Sequence, residues 1–123
     1  MKKLTKVEEQ IMQVIWKLGK AFMREIIEEL PEPKPHKNTT FTIINILVNK
    51  KFIAINKMGN HHQYMPIVSK EDYSRSSLEN IANGYFGGST ANLVKFFVNH
   101  NKLSKKDIGE IEELLARIKK NKK

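Results

Sequence analysis

The sequence predicts a mainly α fold with one small β-hairpin. Three observations carry that prediction. Apolar residues recur at three- and four-residue spacing along most of the chain. One stretch, 52–65, reads instead as two short strands around Gly59-Asn60. Hydroxyl residues stand three positions before an acid at three helix starts: Thr5 before Glu8, Ser69 before Asp72 and Ser104 before Asp107.

The first helix begins after Thr5, whose oxygen can take an orphan backbone N–H while Glu8 reaches back. Leu4, Val7, Ile11, Met12, Val14, Ile15 and Leu18 form its apolar stripe, and Gly19 is placed to end it. A second helix covers about 23–30, with Met23, Ile26, Ile27 and Leu30 facing inward. Pro31, Pro33 and Pro35 make the next stretch stiff and non-helical. A third helix runs from about Asn38 to Lys50, with Asn38, Thr39 and Thr40 as candidate caps. Phe52–Lys57 and His62–Met65 are the hairpin strands, and Pro66 closes the second. A fourth helix follows Ser69 and passes through Leu78, Ile81, Ala82 and Tyr85, until Gly84, Gly87 and Gly88 break it. Ser89 opens a short apolar helix, and a last one carries Ile108, Ile111, Leu115 and Ile118. The terminal Lys119–Lys123 reads as a solvated tail.

The chain has 123 residues, a length for one domain or two very small ones. Lacking Cys, it has no disulfide framework and no thiolate metal site. No apolar run approaches the ~20 residues of a membrane span, and Met1-Lys2-Lys3 opens no signal peptide. The expected setting is cytoplasmic. Net charge is +9, from 22 basic and 13 acidic residues. Such an excess favours an anionic partner, nucleic acid first, although a basic surface can also serve solubility alone. The distribution is more telling than the total. No acid occurs between Glu32 and Glu71, a span holding Lys34, Lys37, Lys50, Lys51, Lys57 and Lys70 with His36, His61 and His62.

The third helix lies inside that span. At about 100° per residue, Thr40, Ile43, Ile44 and Leu47 share one face. Asn38, Thr42, Asn45 and Asn49 share the opposite one, with Thr39 between. Those residues are short, polar and uncharged, and Asn and Thr are poor helix formers. Their types suit base edges: Asn bonds adenine bidentately, and Thr offers a hydroxyl or packs its methyl on thymine. Lys37, Lys50 and Lys51 at the helix ends are placed to hold phosphates. Phe41 sits at the rim, where it could touch a thymine methyl but is expected instead to be a core residue against the hairpin. A hairpin with a polar tip makes a wing, from which Lys57 and His61 would face the DNA backbone or the minor groove. His61-His62 without a carboxylate at ligand spacing is weak evidence for a metal, so neither metal nor cofactor is expected.

On these residues the chain resembles the penicillinase-repressor and methicillin-resistance-regulator family of bacterial winged helix-turn-helix repressors. The likeness runs from Leu4 to about Lys120. It rests on Leu4-Thr5 through Ile15-Trp16-Lys17, Asn38-Thr39 with Thr42 and Ile43, Lys57 to Pro66 including Tyr64, and Tyr73. Tyr85-Phe86 and Leu103-Ser104 complete it. The resemblance implies a winged helix-turn-helix DNA-binding domain, 1–68, followed by a three-helix dimerisation domain, 69–123. It also implies a homodimer that represses transcription from a dyad operator in double-stranded DNA, with Thr39 and Thr42 facing the DNA. Three departures stand out. The Arg that members commonly carry near Asn45 and Ile46 is absent. The turn after the reading helix is Lys50-Lys51 rather than Lys-Gly. Some members are inactivated by a protease that cleaves between Asn and Phe; Phe96 replaces that Asn here, so a regulatory protease is not carried over.

The helices beyond residue 69 are too few for a private core. Leu93, Val94, Phe96, Phe97, Ile111, Leu115 and Ile118 are therefore expected to bury against a second copy. A winged-helix module that binds protein rather than DNA is the alternative. An enzyme is not expected: there is no glycine-rich phosphate loop and no acid between Glu32 and Glu71 to pair with the histidines.

Overall fold

A computed structural model describes residues 1–122. The chain divides into two compact units, Met1–Leu78 and the part from Glu79 onward. The elements of the first unit are α1 (Lys6–Leu18), β1 (Ala21–Phe22), α2 (Met23–Glu29), α3 (Lys37–Asn49), β2 (Ile53–Met58) and β3 (His61–Pro66). Helix α4 (Lys70–Tyr85) begins in this unit and crosses the division. The second unit carries α5 (Thr90–His100) and α6 (Lys105–Asn121).

Helix α1 starts as its sequence dictates. Thr5 Oγ1 accepts from Glu8 N at 3.2 Å, and Glu8 Oε1 accepts from Thr5 N at 2.8 Å. Gly19 ends the helix at a φ of 78°, where a side chain would be strained. The apolar stripe is buried at Leu4, Ile11, Met12, Val14 and Ile15, whereas Val7 is exposed. Strand β1, which the sequence does not announce, is two residues long and pairs antiparallel with β3, Ala21 opposite Tyr64. Together with the hairpin it makes a three-stranded sheet ordered β1-β3-β2. Ile55 opposes Tyr64 on the other side of β3.

The third helix is capped by His36, two residues before the first of its candidate Asn and Thr caps. His36 Nδ1 accepts from Asn38 N at 3.1 Å, which leaves Asn38 and Thr39 exposed within the first turn. Thr40 is fully buried, and its hydroxyl donates to His36 O at 3.3 Å. Ile44 and Leu47 are also fully buried and join Ile11, Ile15, Ile26 and Ile53 in the core. That burial fixes which face of α3 points to solvent.

Helix α4 belongs partly to this core. Tyr73 is buried between Trp16 and Phe52, with both ring centroids 5.9 Å away, and its hydroxyl accepts from Leu4 N at 2.9 Å. The first compact unit therefore takes in the start of α4. Gly84 lies within α4, so the break is made by Gly87 and Gly88 at φ of 59° and 79°.

Ser89 and Ser104 cap α5 and α6 by accepting from Asn92 N and Asp107 N, at 3.1 and 3.0 Å. Helix α6 continues through Asn121, so Lys119 and Lys120 form its last turn rather than a frayed tail. Their charge suits the carbonyl end of the helix. Lys123 lies outside the described residues.

Lys51 follows α3 at a φ of 65°, the left-handed region that glycine adopts without strain. Replacing Lys51 by Gly is expected to raise stability by about 0.5–1 kcal/mol. Chemical denaturation checks this, and a midpoint that stays put or falls counts against it.

Candidate nucleic-acid interface

The outer face of α3 is a neutral strip. Asn38, Thr39, Thr42, Asn45 and Asn49 are all exposed. Thr42 Oγ1 donates to Asn38 O at 3.0 Å, so its proton is used inside the helix. Its methyl group and the lone pairs of its oxygen are what it can offer a base.

Cations frame the strip unevenly. Lys37 at one end and Lys51 at the other are exposed. Lys50 is not free to hold a phosphate: its Nζ lies 2.9 Å from Glu8 Oε1 and 2.8 Å from Oε2, with Glu8 buried beneath it. The buried carboxylate thus engages that ammonium through both of its oxygens. Lys34 is likewise engaged, donating to Ile27 O and Glu28 O at the end of α2, both at 2.9 Å. Part of the acid-free span thus serves the fold.

The wing extends beside the helix. Gly59 turns it at a φ of 63°, and Lys57 and His61 stand exposed near its tip. Between α2, the first turn of α3 and this tip runs an open groove of about 820 Å³. Phe22, Met23, Arg24, Lys37, Phe41, Asn60 and His61 are among its lining residues. Phe41 does not pack into the core as expected; it is 50% exposed on the groove wall. Arg24 reaches this groove from the first turn of α2. Among the described residues no group of three or more His, Cys, Asp or Glu is placed to hold a metal ion. His61 stacks edge-on against Phe22 instead, at 6.3 Å.

A helix with a neutral exposed strip, a two-stranded wing beside it and a short third strand behind is winged-helix geometry. The sequence model described as "Penicillinase repressor" matches residues 4–117. The chain belongs to the penicillinase repressor family. A Bacillus licheniformis penicillinase repressor is 27% identical over 127 residues, covering 100% of this chain and 99% of that protein. The methicillin resistance regulatory protein MecI of Staphylococcus aureus (strain N315) is 30% identical, covering 91% of this chain and 92% of its own. The solved DNA binding domain of the repressor BlaI is similar at 30% identity and a TM-score of 0.51, over 59% of this chain and 94% of that domain. This member of the penicillinase repressor family is thus a mainly helical winged-helix protein.

Its second unit leaves several large apolar side chains bare. Among the described residues α5 and α6 bury no side chain. Val94, Phe96 and Phe97 on α5 and Ile111, Leu115 and Ile118 on α6 are all exposed, and Leu93 is half-buried. Phe96 stacks on His100 at 4.1 Å and meets Phe86 at 5.5 Å. No helix among the described residues is long and apolar enough to cross a membrane.

Proposed function

We propose that this protein is a homodimeric, sequence-specific transcriptional repressor that acts in the cytoplasm on a dyad operator in double-stranded DNA. The carrying observation is the exposed Asn and Thr strip on α3, set between free cations and beside a wing. Asn45, Thr42, Asn38, Thr39 and Asn49 would meet base edges in the major groove. Lys37, Lys51, Lys57 and His61 would hold the flanking phosphates. Two copies sharing a two-fold axis would place their reading helices about one helical turn of DNA apart. The bare apolar faces of α5 and α6 supply a surface for that pairing. Repression would be steric, the bound dimer occupying promoter DNA.

Selection from a random duplex pool with the purified full chain tests this reading. An enriched inverted repeat is the expected product. Binding no tighter to any selected duplex than to random DNA would favour the protein-interaction alternative. The division of labour has its own check. Asn45→Ala should weaken binding to the selected duplex by about 1–3 kcal/mol and leave random DNA unaffected. Lys37→Ala should weaken both and lower the salt slope by about one. Equal effects of the two substitutions on both duplexes would contradict that division.

A further inference from the structure

The Glu8–Lys50 pair links the start of α1 to the end of the reading helix, and its geometry gives it more than a local part. Glu8 is 4% exposed. Its Oε1 receives both Thr5 N and the Lys50 ammonium, and its Oε2 receives the ammonium again. The same carboxylate therefore closes the α1 cap and grips the residue that caps the end of α3. Lys50 is the C-cap of α3, its N–H bonded to Ile46 O at 2.9 Å. Two residues on, Phe52 N donates to Leu47 O at 2.9 Å. Burial on its own raises the Glu8 carboxyl pKa. The Lys50 hydrogen bond, the Thr5 bonds and the Lys50 charge outweigh it and hold the group below its ordinary value of 4.5. The Glu8 carboxyl is thus ionised at neutral pH.

We propose that Glu8 and Lys50 form a strut that sets the pose of the reading helix, so that two residues touching no base govern how well the protein discriminates among duplexes. The proposal rests on the DNA-reading role given above. Apolar contacts under Thr40, Ile44 and Leu47 hold α3 against the core but tolerate small slides and rotations. A doubly bonded ion pair at one end removes that freedom because its geometry is directional. A reading helix misplaced by an ångström loses base contacts while its phosphate contacts, made by long lysines, adapt.

Electrostatics and positioning make opposite forecasts for Glu8→Gln. This change removes a negative charge and frees Lys50, so charge alone forecasts tighter DNA binding. The strut forecasts roughly tenfold weaker binding to the selected duplex, with random-duplex affinity and salt slope held. Lys50→Met should do the same, and Lys50→Arg should restore most of the loss. The double variant, Glu8→Gln with Lys50→Met, leaves no buried charge unpaired and should still discriminate poorly. Anisotropy titrations over a salt series, run where circular dichroism shows every variant folded, read these effects. Unchanged or tighter binding by Glu8→Gln overturns the proposal. So does a salt slope lowered by one in Lys50→Met alone, the mark of a phosphate contact. Amide exchange supplies a DNA-free readout. Protection at Lys50 and Phe52 should fall at least about tenfold in Glu8→Gln while that at Ile15 holds. Unchanged protection refutes the strut whatever the DNA result, whereas a wild-type chain that prefers no duplex refutes the DNA reading.

Discussion

Leu115→Glu is expected to convert the protein from dimer to monomer and to cut its affinity for its preferred duplex at least ~100-fold. Leu115 is 55% exposed on α6, in line with Ile108, Ile111 and Ile118 at spacings of three, four and three. An apolar helix face of that width has no return in water for a chain this small. The proposed pairing with a second copy would bury it, and a carboxylate placed in its middle would then have to be desolvated without a partner. Operator binding suffers more than dimerisation alone suggests. Two reading helices joined through one body bind as a unit, so the second half-site is engaged at a high effective concentration, and a monomer forfeits that gain. Light scattering at micromolar concentration and anisotropy on the selected duplex read the two effects. A variant that stays dimeric refutes the assignment of this face. A monomer that binds as tightly as wild type refutes the need for a dyad. The unfolding temperature of the first unit serves as control, since Leu115 lies outside it.

Much of this architecture is legible in the sequence because it is local. Thr5 with Glu8, Ser69 with Asp72 and Ser104 with Asp107 sit three residues apart, and each bonds as its spacing forecasts. The inward face of α3 follows from helical period, and Thr40, Ile44 and Leu47 are buried accordingly. What the sequence hides is long-range or aperiodic. Strand β1 is defined by its pairing with β3 and has too few residues to alternate. Lys50 reads as a phosphate clamp until Glu8, 42 positions away, is seen to hold it. His36 caps α3 through a ring nitrogen, a partner that hydroxyl and carboxamide rules do not rank. Phe41 looks like a core residue by type, yet its place on the helix turns it toward the groove. At the candidate interface, the neutral strip was legible from residue type and period, and the allocation of the cations was not. Spacing says nothing of which lysine a buried carboxylate will claim.

Ile44→Ala is expected to destabilise the first unit by about 2–5 kcal/mol. Ile44 is fully buried in the core it shares with Ile11, Ile15, Leu47 and Ile53. Removing three carbons there leaves a cavity that helices α1 and α3 cannot close without moving backbone, so the transfer loss and the cavity loss add. Against a total of about 5–15 kcal/mol for a domain, that is a large share. Asn45, the next residue, makes the comparison sharp. It is exposed, so its alanine variant should unfold within a degree or two of wild type while losing discrimination among duplexes. Adjacent positions on one helix would then separate cleanly, one carrying stability and the other carrying the choice of site. Thermal melts of both variants, with titrations below the onset of unfolding, measure this. An Ile44→Ala loss under 1 kcal/mol would mean that the core beneath α3 relaxes freely. In that case burial would not fix the direction of the Asn and Thr strip, and the physical basis for placing that strip on DNA would fall with it.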